Sequence, residues 1–286
     1  MKKTFAVILT AICIFALFSC ARSIDPPQGV TSASDSITEP GTEQEATITT
    51  VPDPGTEIGP DTAILGGVGA IRENRVFSID ETVALDVSLS LPYAEIADND
   101  DVQARVTQKI DEITAEILEY VENKGEIYRS QIESGNIPLE TPNLSVSFTL
   151  CCFTEKAMSF MFNFTETNGY GNTAQSCRYY NFELDAYGAP ITFDTLFSDR
   201  MNDNRSEMIE KVKEKAAARG DLYMGHDAII EELAPTNWYI SGSKIIFRFD
   251  PYLVAPSSSG FISFEFSLSE LRPLISEYGS ELLGID

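Results

Sequence analysis

One histidine, His226, and one tryptophan, Trp238, stand in a chain of 286 residues, and cations are scarce, with 20 Lys and Arg against 44 Asp and Glu. A single imidazole cannot build the clustered His and carboxylate ligands of a catalytic zinc site, so metal-dependent hydrolysis is not expected and no cofactor is implied. The formal net charge of −24 argues against nucleic acid as a partner, because phosphate backbones are held by Lys and Arg. The most apolar stretch at the start of the chain, Phe5 to Phe18, is shorter than the roughly 20 residues that span a bilayer. AILGGVGAI, Ala63 to Ile71, has the glycines of a phosphate loop but lacks its Lys-Ser/Thr, and reads as the exit of a linker.

Lys2 and Lys3 ahead of Phe5 to Phe18 make a secretory signal. It ends Leu17-Phe18-Ser19-Cys20, which resembles the bacterial lipobox, where a small residue precedes a cysteine that is diacylated and becomes the mature N-terminus. That resemblance implies a signal peptide over 1–19, lipidation of Cys20, and a protein held on the extracellular face of the cell membrane. Two acyl chains, at about 0.8 kcal/mol per buried methylene, give a stable anchor without a transmembrane helix.

Residues 20–70 hold Pro26, Pro27, Pro40, Pro52, Pro54 and Pro60 among Ser, Thr, Gly and acids, with few large apolar side chains. Such a segment cannot bury enough surface to offset its ordering entropy, and it reads as an extended acidic tether. Lys2, Lys3, Arg22 and eight acids precede Gly67, which leaves 17 basic and 36 acidic residues beyond it, a net of −19. Such a field favours a cationic protein as partner.

Beyond the tether, two patterns alternate. Val83, Leu85, Val87, Leu89 and Leu91 recur at period two, as do Leu144, Val146, Phe148, Leu150 and Cys152, marking strands with one apolar face. Further strands are expected over Ala157–Thr165, Gln175–Asp185, around Trp238, and over Ile245–Phe249 and Phe261–Leu268. Val102, Val106, Ile110, Ile113, Ile117, Tyr120 and Val121 repeat at three and four, which predicts a helix started by the acids Asp98 to Asp101 and closed near Gly125. The same acids do not make a calcium loop, since the sixth position holds Gln103 where a glycine is needed. Helices are also expected over Arg205–Ala218 and Asp227–Leu233, and from a capping box at Ser267 and Glu270 toward Tyr278, with Pro273 disturbing its early turns. The mixture predicts an α+β fold with a mainly antiparallel sheet and a few helices, in two closely packed halves, 71–175 and 176–286.

Cys13 leaves with the signal and Cys20 is taken by the lipid, so three thiols remain, Cys151, Cys152 and Cys177. Neighbouring strands leave two arrangements open: a bridge from Cys177 to Cys151 or Cys152, or buried free thiols. Between two predicted strands lies FDPYLVAPSSSG, Phe249 to Gly260, whose prolines and serines suit a connector, while Tyr252, Leu253 and Val254 are large and apolar in a place that should be wet. With Tyr170 and Tyr180 they are the candidate partner-binding residues.

Three stretches carry a resemblance: LDVSLSLPYAEI leading into the first helix, Tyr179 to Phe197, and Asn237 to Ile275. In that order they resemble the extracellular domains of the lysozyme-sensing anti-sigma-V factor and the accessory region of some peptidoglycan deacetylases. The resemblance implies an envelope ligand, a lysozyme-like cationic protein or peptidoglycan. Where that family often shows a histidine-bearing turn, this chain has Asn168-Gly169-Tyr170-Gly171. Only Met1 to Thr4 precede the apolar run, so a cytoplasmic sigma-binding segment is not expected, and one histidine argues against a deacetylase site. The expectation is therefore a non-catalytic binding lipoprotein; a carboxylate-using glycan enzyme and a structural envelope lipoprotein are the alternatives.

Overall fold

The computed structural model describes residues 67–95, 100–184 and 188–285, all within one compact unit. Cys20, the body of the tether, Asp98 and Tyr187 lie outside the described residues.

A first sheet has the order β1 (Gly67–Ile79), β2 (Thr82–Glu95), β3 (Asn143–Phe153), β4 (Ala157–Thr167), β5 (Thr173–Glu183). All neighbours are antiparallel except β2 and β3, which run parallel because the helix α1 (Asp100–Glu133) crosses over between them. The α1 stripe of Val106, Ile110, Ile113, Ile117 and Val121 is buried in one cluster with Leu85, Val87, Leu89, Phe160 and Phe162 of the sheet. A second sheet, β6 (Trp238–Ser241), β7 (Lys244–Phe249) and β8 (Ile262–Ser267), is wholly antiparallel. Its Trp238, Ile240, Ile245, Phe247 and Phe264 share a core with the helices α2 (Phe193–Phe197), α3 (Arg205–Ala217), α4 (His226–Leu233), α5 (Leu268–Leu271) and α6 (Glu277–Leu283). Tyr239 and Ile246, on the opposite face, meet Met161 of β4. The layers thus run α1, first sheet, second sheet, helices. This is the α+β, mainly antiparallel architecture expected.

Four details depart from expectation. The residues read as linker exit begin β1 at Gly67, where Gly69 leaves room for the Tyr93 ring that lies against it. Gly125 does not close α1, which continues to Glu133; the glycine is buried because the Phe77 ring occupies the space a Cβ would fill. The helix toward Tyr278 is two pieces. Ser267 accepts from the Glu270 N–H at 3.1 Å to start α5, Pro273 ends it, and Ser276 caps α6 by accepting from the Gly279 N–H at 2.9 Å. Finally, β5 pairs along its length with β4, so the first sheet ends at Glu183 and not at the expected division after residue 175.

Candidate functional site

The expected partner-binding residues are not gathered in one place. Val254 is fully buried in the core below the second sheet, and Leu253 packs against that core. The turn folds them inward: the Val254 carbonyl accepts from the Tyr223 N–H at 2.9 Å, and the Leu253 N–H donates to the Asp250 carbonyl. Tyr252 alone of the three projects, 62% exposed, on a backbone at φ 74°. Tyr180 lies on the α1 face of the first sheet, edge-on to Phe162, and donates to Glu116 of α1 at 2.9 Å. The Phe249–Gly260 loop is a connector.

Tyr170 is different. It tips the turn between β4 and β5 and is about half exposed. Asn168 shapes that turn: its Oδ1 accepts from the Tyr170 N–H at 2.9 Å and the Asn172 N–H at 3.3 Å, and its N–H donates to the Asn172 carbonyl at 3.1 Å. Gly169 adopts φ 75°, open to glycine at little cost. Its carbonyl accepts from both the Leu139 and Glu140 N–H groups at 3.1 Å, while Pro138 and Pro142 close over its α-carbon. The loop from α1 to β3 is thereby fastened to the β4–β5 turn, and it carries Ile137 and Leu139 into solvent, 65% and 85% exposed.

Three large apolar side chains thus project into solvent from two loops joined at the Gly169 carbonyl. Side chains of this kind ordinarily turn inward, and the prolines and the shared Gly169 carbonyl hold the backbone that carries these, which lowers the loop-ordering cost of binding. Acids surround the segment: Glu133 and Glu140 are exposed on either side of Ile137 and Leu139. Just behind the turn, Glu166 accepts from Tyr128 Oη at 2.9 Å and pairs with Lys124 at 2.6 Å, tying β4 to the last turns of α1. Sequence reasoning found Tyr170 as an aromatic at a turn. It missed Ile137 and Leu139, whose signal was two bulky apolar residues inside the turn-forming run Gly135-Asn136-Ile137-Pro138-Leu139.

The remaining reactive groups are tied up structurally. A bulge at Cys151 turns both Cys151 and Cys152 toward the second sheet, so Cys152 leaves the face of Leu144 to Leu150 and joins the core with Trp238. Cys151, Cys152 and Cys177 are free thiols. Of the two arrangements left open, the bridge to Cys177 does not form because β4 lies between β3 and β5, and two strand spacings, about 9.5 Å, exceed the roughly 7 Å reach of a disulfide between α-carbons. Burial pushes the thiols up, to about 12 for Cys151 and about 11 for Cys152 and Cys177. His226 Nδ1 lies 2.7 Å from the Tyr223 carbonyl at the start of α4. Among the described residues, no three His, Cys, Asp or Glu side chains gather as a metal would require.

Residues 194–269, from α2 into α5, match a family model described as "Protein of unknown function (DUF3298)". A crystal structure of a DUF3298 family member from Bacteroides fragilis NCTC 9343 is similar over 76% of this chain and 97% of its own, at 10% identity and a TM-score of 0.50. A DUF3298 family protein from Pseudomonas aeruginosa PAO1 covers 74% of this chain and 95% of its own, at 10% identity and a TM-score of 0.46. No curated protein matches. At such identity the first likeness speaks to the fold alone. The exposed patch at Ile137, Leu139 and Tyr170 lies ahead of the segment that matches the family.

Proposed function

We propose that this chain is a lipid-anchored protein of the outer cell surface that captures a basic envelope protein, of which lysozyme is the type, without catalysing a reaction on it. One observation carries the reading: three large apolar side chains, Ile137, Leu139 and Tyr170, face solvent on two joined loops of a domain of net charge −19. A field of that sign draws a basic protein in and sets the encounter rate. The apolar side chains, on loops already joined, supply the contact that holds it. The lipobox-like end of the signal accounts for the anchor, and the resemblance of three stretches to lysozyme-sensing domains accords with the partner class.

The test is calorimetric titration of the full chain with lysozyme at about 0.05 M and about 0.5 M salt. Saturable binding that weakens as salt rises supports the proposal. Absence of binding at both salts removes it, and retention on purified peptidoglycan in the same buffers would move the reading to a glycan ligand. Release of sugar or acetate from that peptidoglycan would move it to an enzyme.

A further inference from the structure

β1 ends the five-stranded sheet, with β2 on one side and no strand on the other among the described residues. Natural edge strands are commonly short, interrupted by proline, twisted by bulges or charged, which blocks pairing with another chain; the charges of β1, Arg72, Glu73 and Arg75, are of both signs, so whether they repel or attract depends on the register. β1 has 13 residues and no proline, and its pairing with β2 is regular from Gly67 to Phe77. Ile71 and Val76 on it are more than half exposed. Arg75 pairs with Glu73 of its own strand and, at 2.8 Å, with Glu122 of α1, which places residues 73 and 75 on the α1 face. Strand alternation puts Arg72, Asn74 and Val76 on the other face.

A second copy joins such an edge antiparallel through a two-fold axis normal to the sheet, the symmetry usual for dimers. That axis keeps each face continuous, so it must pass midway between a residue and that same residue of the other copy. Centred on Arg72, Glu73 or Arg75, it sets like charges directly opposite. Centred on Asn74, it sets Glu73 opposite Arg75 and Arg75 opposite Glu73, with Arg72 beside Val76. Each Arg75 then has a carboxylate along its own strand and another across the junction. We propose that β1 is a homodimerisation edge, pairing with β1 of a second copy in this register to make one sheet through both molecules.

The experiment is sedimentation velocity of the full chain in about 0.15 M salt, where a Debye length of about 8 Å screens most of the repulsion between two acidic copies. The wild type sediments as a dimer. Glu73→Arg and Arg75→Glu each lower the association constant by about tenfold, and a one-to-one mixture of the two regains the wild-type value, since every altered side chain then faces an opposite charge. Asn74→Cys, on the axis, links two copies by a disulfide under mild oxidation, and Arg72→Cys, facing Val76, does not. This cysteine pair reads the register even if a charge reversal impairs folding. A wild type that is monomeric at its highest soluble concentration overturns the proposal, as does a mixture that fails to re-associate or equal cross-linking at positions 72 and 74.

Discussion

Asp250 accepts a hydrogen bond from the backbone N–H of Cys177 at 2.9 Å, joining the end of β7 to the outer edge of β5. Burial pushes this carboxyl up to about 6, against the opposing pull of that N–H and of Arg248. The fold therefore favours the protonated form. Its contribution is fully present below the unfolded value of about 4 and is lost as pH rises through about 6. Asp250→Asn, which keeps an acceptor for Cys177, should be more stable than the wild type above about pH 6, by about 1 kcal/mol once solvent screening of a partly exposed group is allowed for. The gain should vanish near about pH 4. Denaturant titrations across that range check it, and parallel profiles for the two proteins contradict it.

Gly125 is held by packing. Replacing it with alanine drives a methyl group into the Phe77 ring. Overpacking of this kind costs about 1–3 kcal/mol, and the better helix propensity of alanine returns about 1 kcal/mol. Gly125→Ala should therefore lower the denaturant midpoint, and a raised midpoint would mean that α1 and β1 are not pressed together here.

Asn181 is the knot between the two sheets. Its Nδ2 donates to the Trp238 carbonyl at 3.2 Å, and its Oδ1 accepts from Ser159 Oγ at 2.6 Å and the Ile240 N–H at 3.4 Å. Asn181→Ala strips partners from buried groups on both sheets and should cost about 2–3 kcal/mol. A change below about 0.5 kcal/mol, the size typical of surface substitutions, would show that the sheets are held by apolar contact alone.

The three thiols give a chemical test of the strand order. Peptides carrying Cys151, Cys152 and Cys177 should be fully alkylated after unfolding without reductant. In the folded protein they should alkylate slowly at about pH 8, because thiols pushed this high hold little thiolate. An unfolded chain in which Cys151 or Cys152 alone reacts would require a bridge from the other to Cys177, and with it a different placement of β3 and β5.

Strong periodicity made β2, β3, β8 and the first part of α1 readable, since each buries one face more deeply than the other, while β4 and β7, buried on both faces, read as apolar runs. β1 was not legible. It lies at the sheet's edge, where Arg72, Glu73, Asn74 and Arg75 interrupt any apolar alternation, and its opening glycines look like linker. Gly125 was misread because a glycine at a helix end and one beneath a packed ring have the same letter, and the ring, Phe77, is far away in sequence. The bulge that redirects Cys152 leaves no local mark. The patch shows the same limit: Tyr170 in its turn was readable as an exposed aromatic, whereas the meeting of Leu139 with the Gly169 carbonyl is a long-range contact that no local pattern announces. The inward fold of Val254 likewise depends on Tyr223, in a segment with no sequence tie to the loop.

In the proposed function Ile137, Leu139 and Tyr170 hold a basic partner that the domain's charge attracts. Leu139→Asp separates the two effects, because it removes an apolar contact while making the chain more negative; at 85% exposure the residue contributes little to the fold. Calorimetry of this variant with lysozyme should show affinity at least about tenfold weaker than wild type, with the salt dependence kept. Affinity unchanged or raised would mean that charge alone draws the partner and that the patch does not touch it.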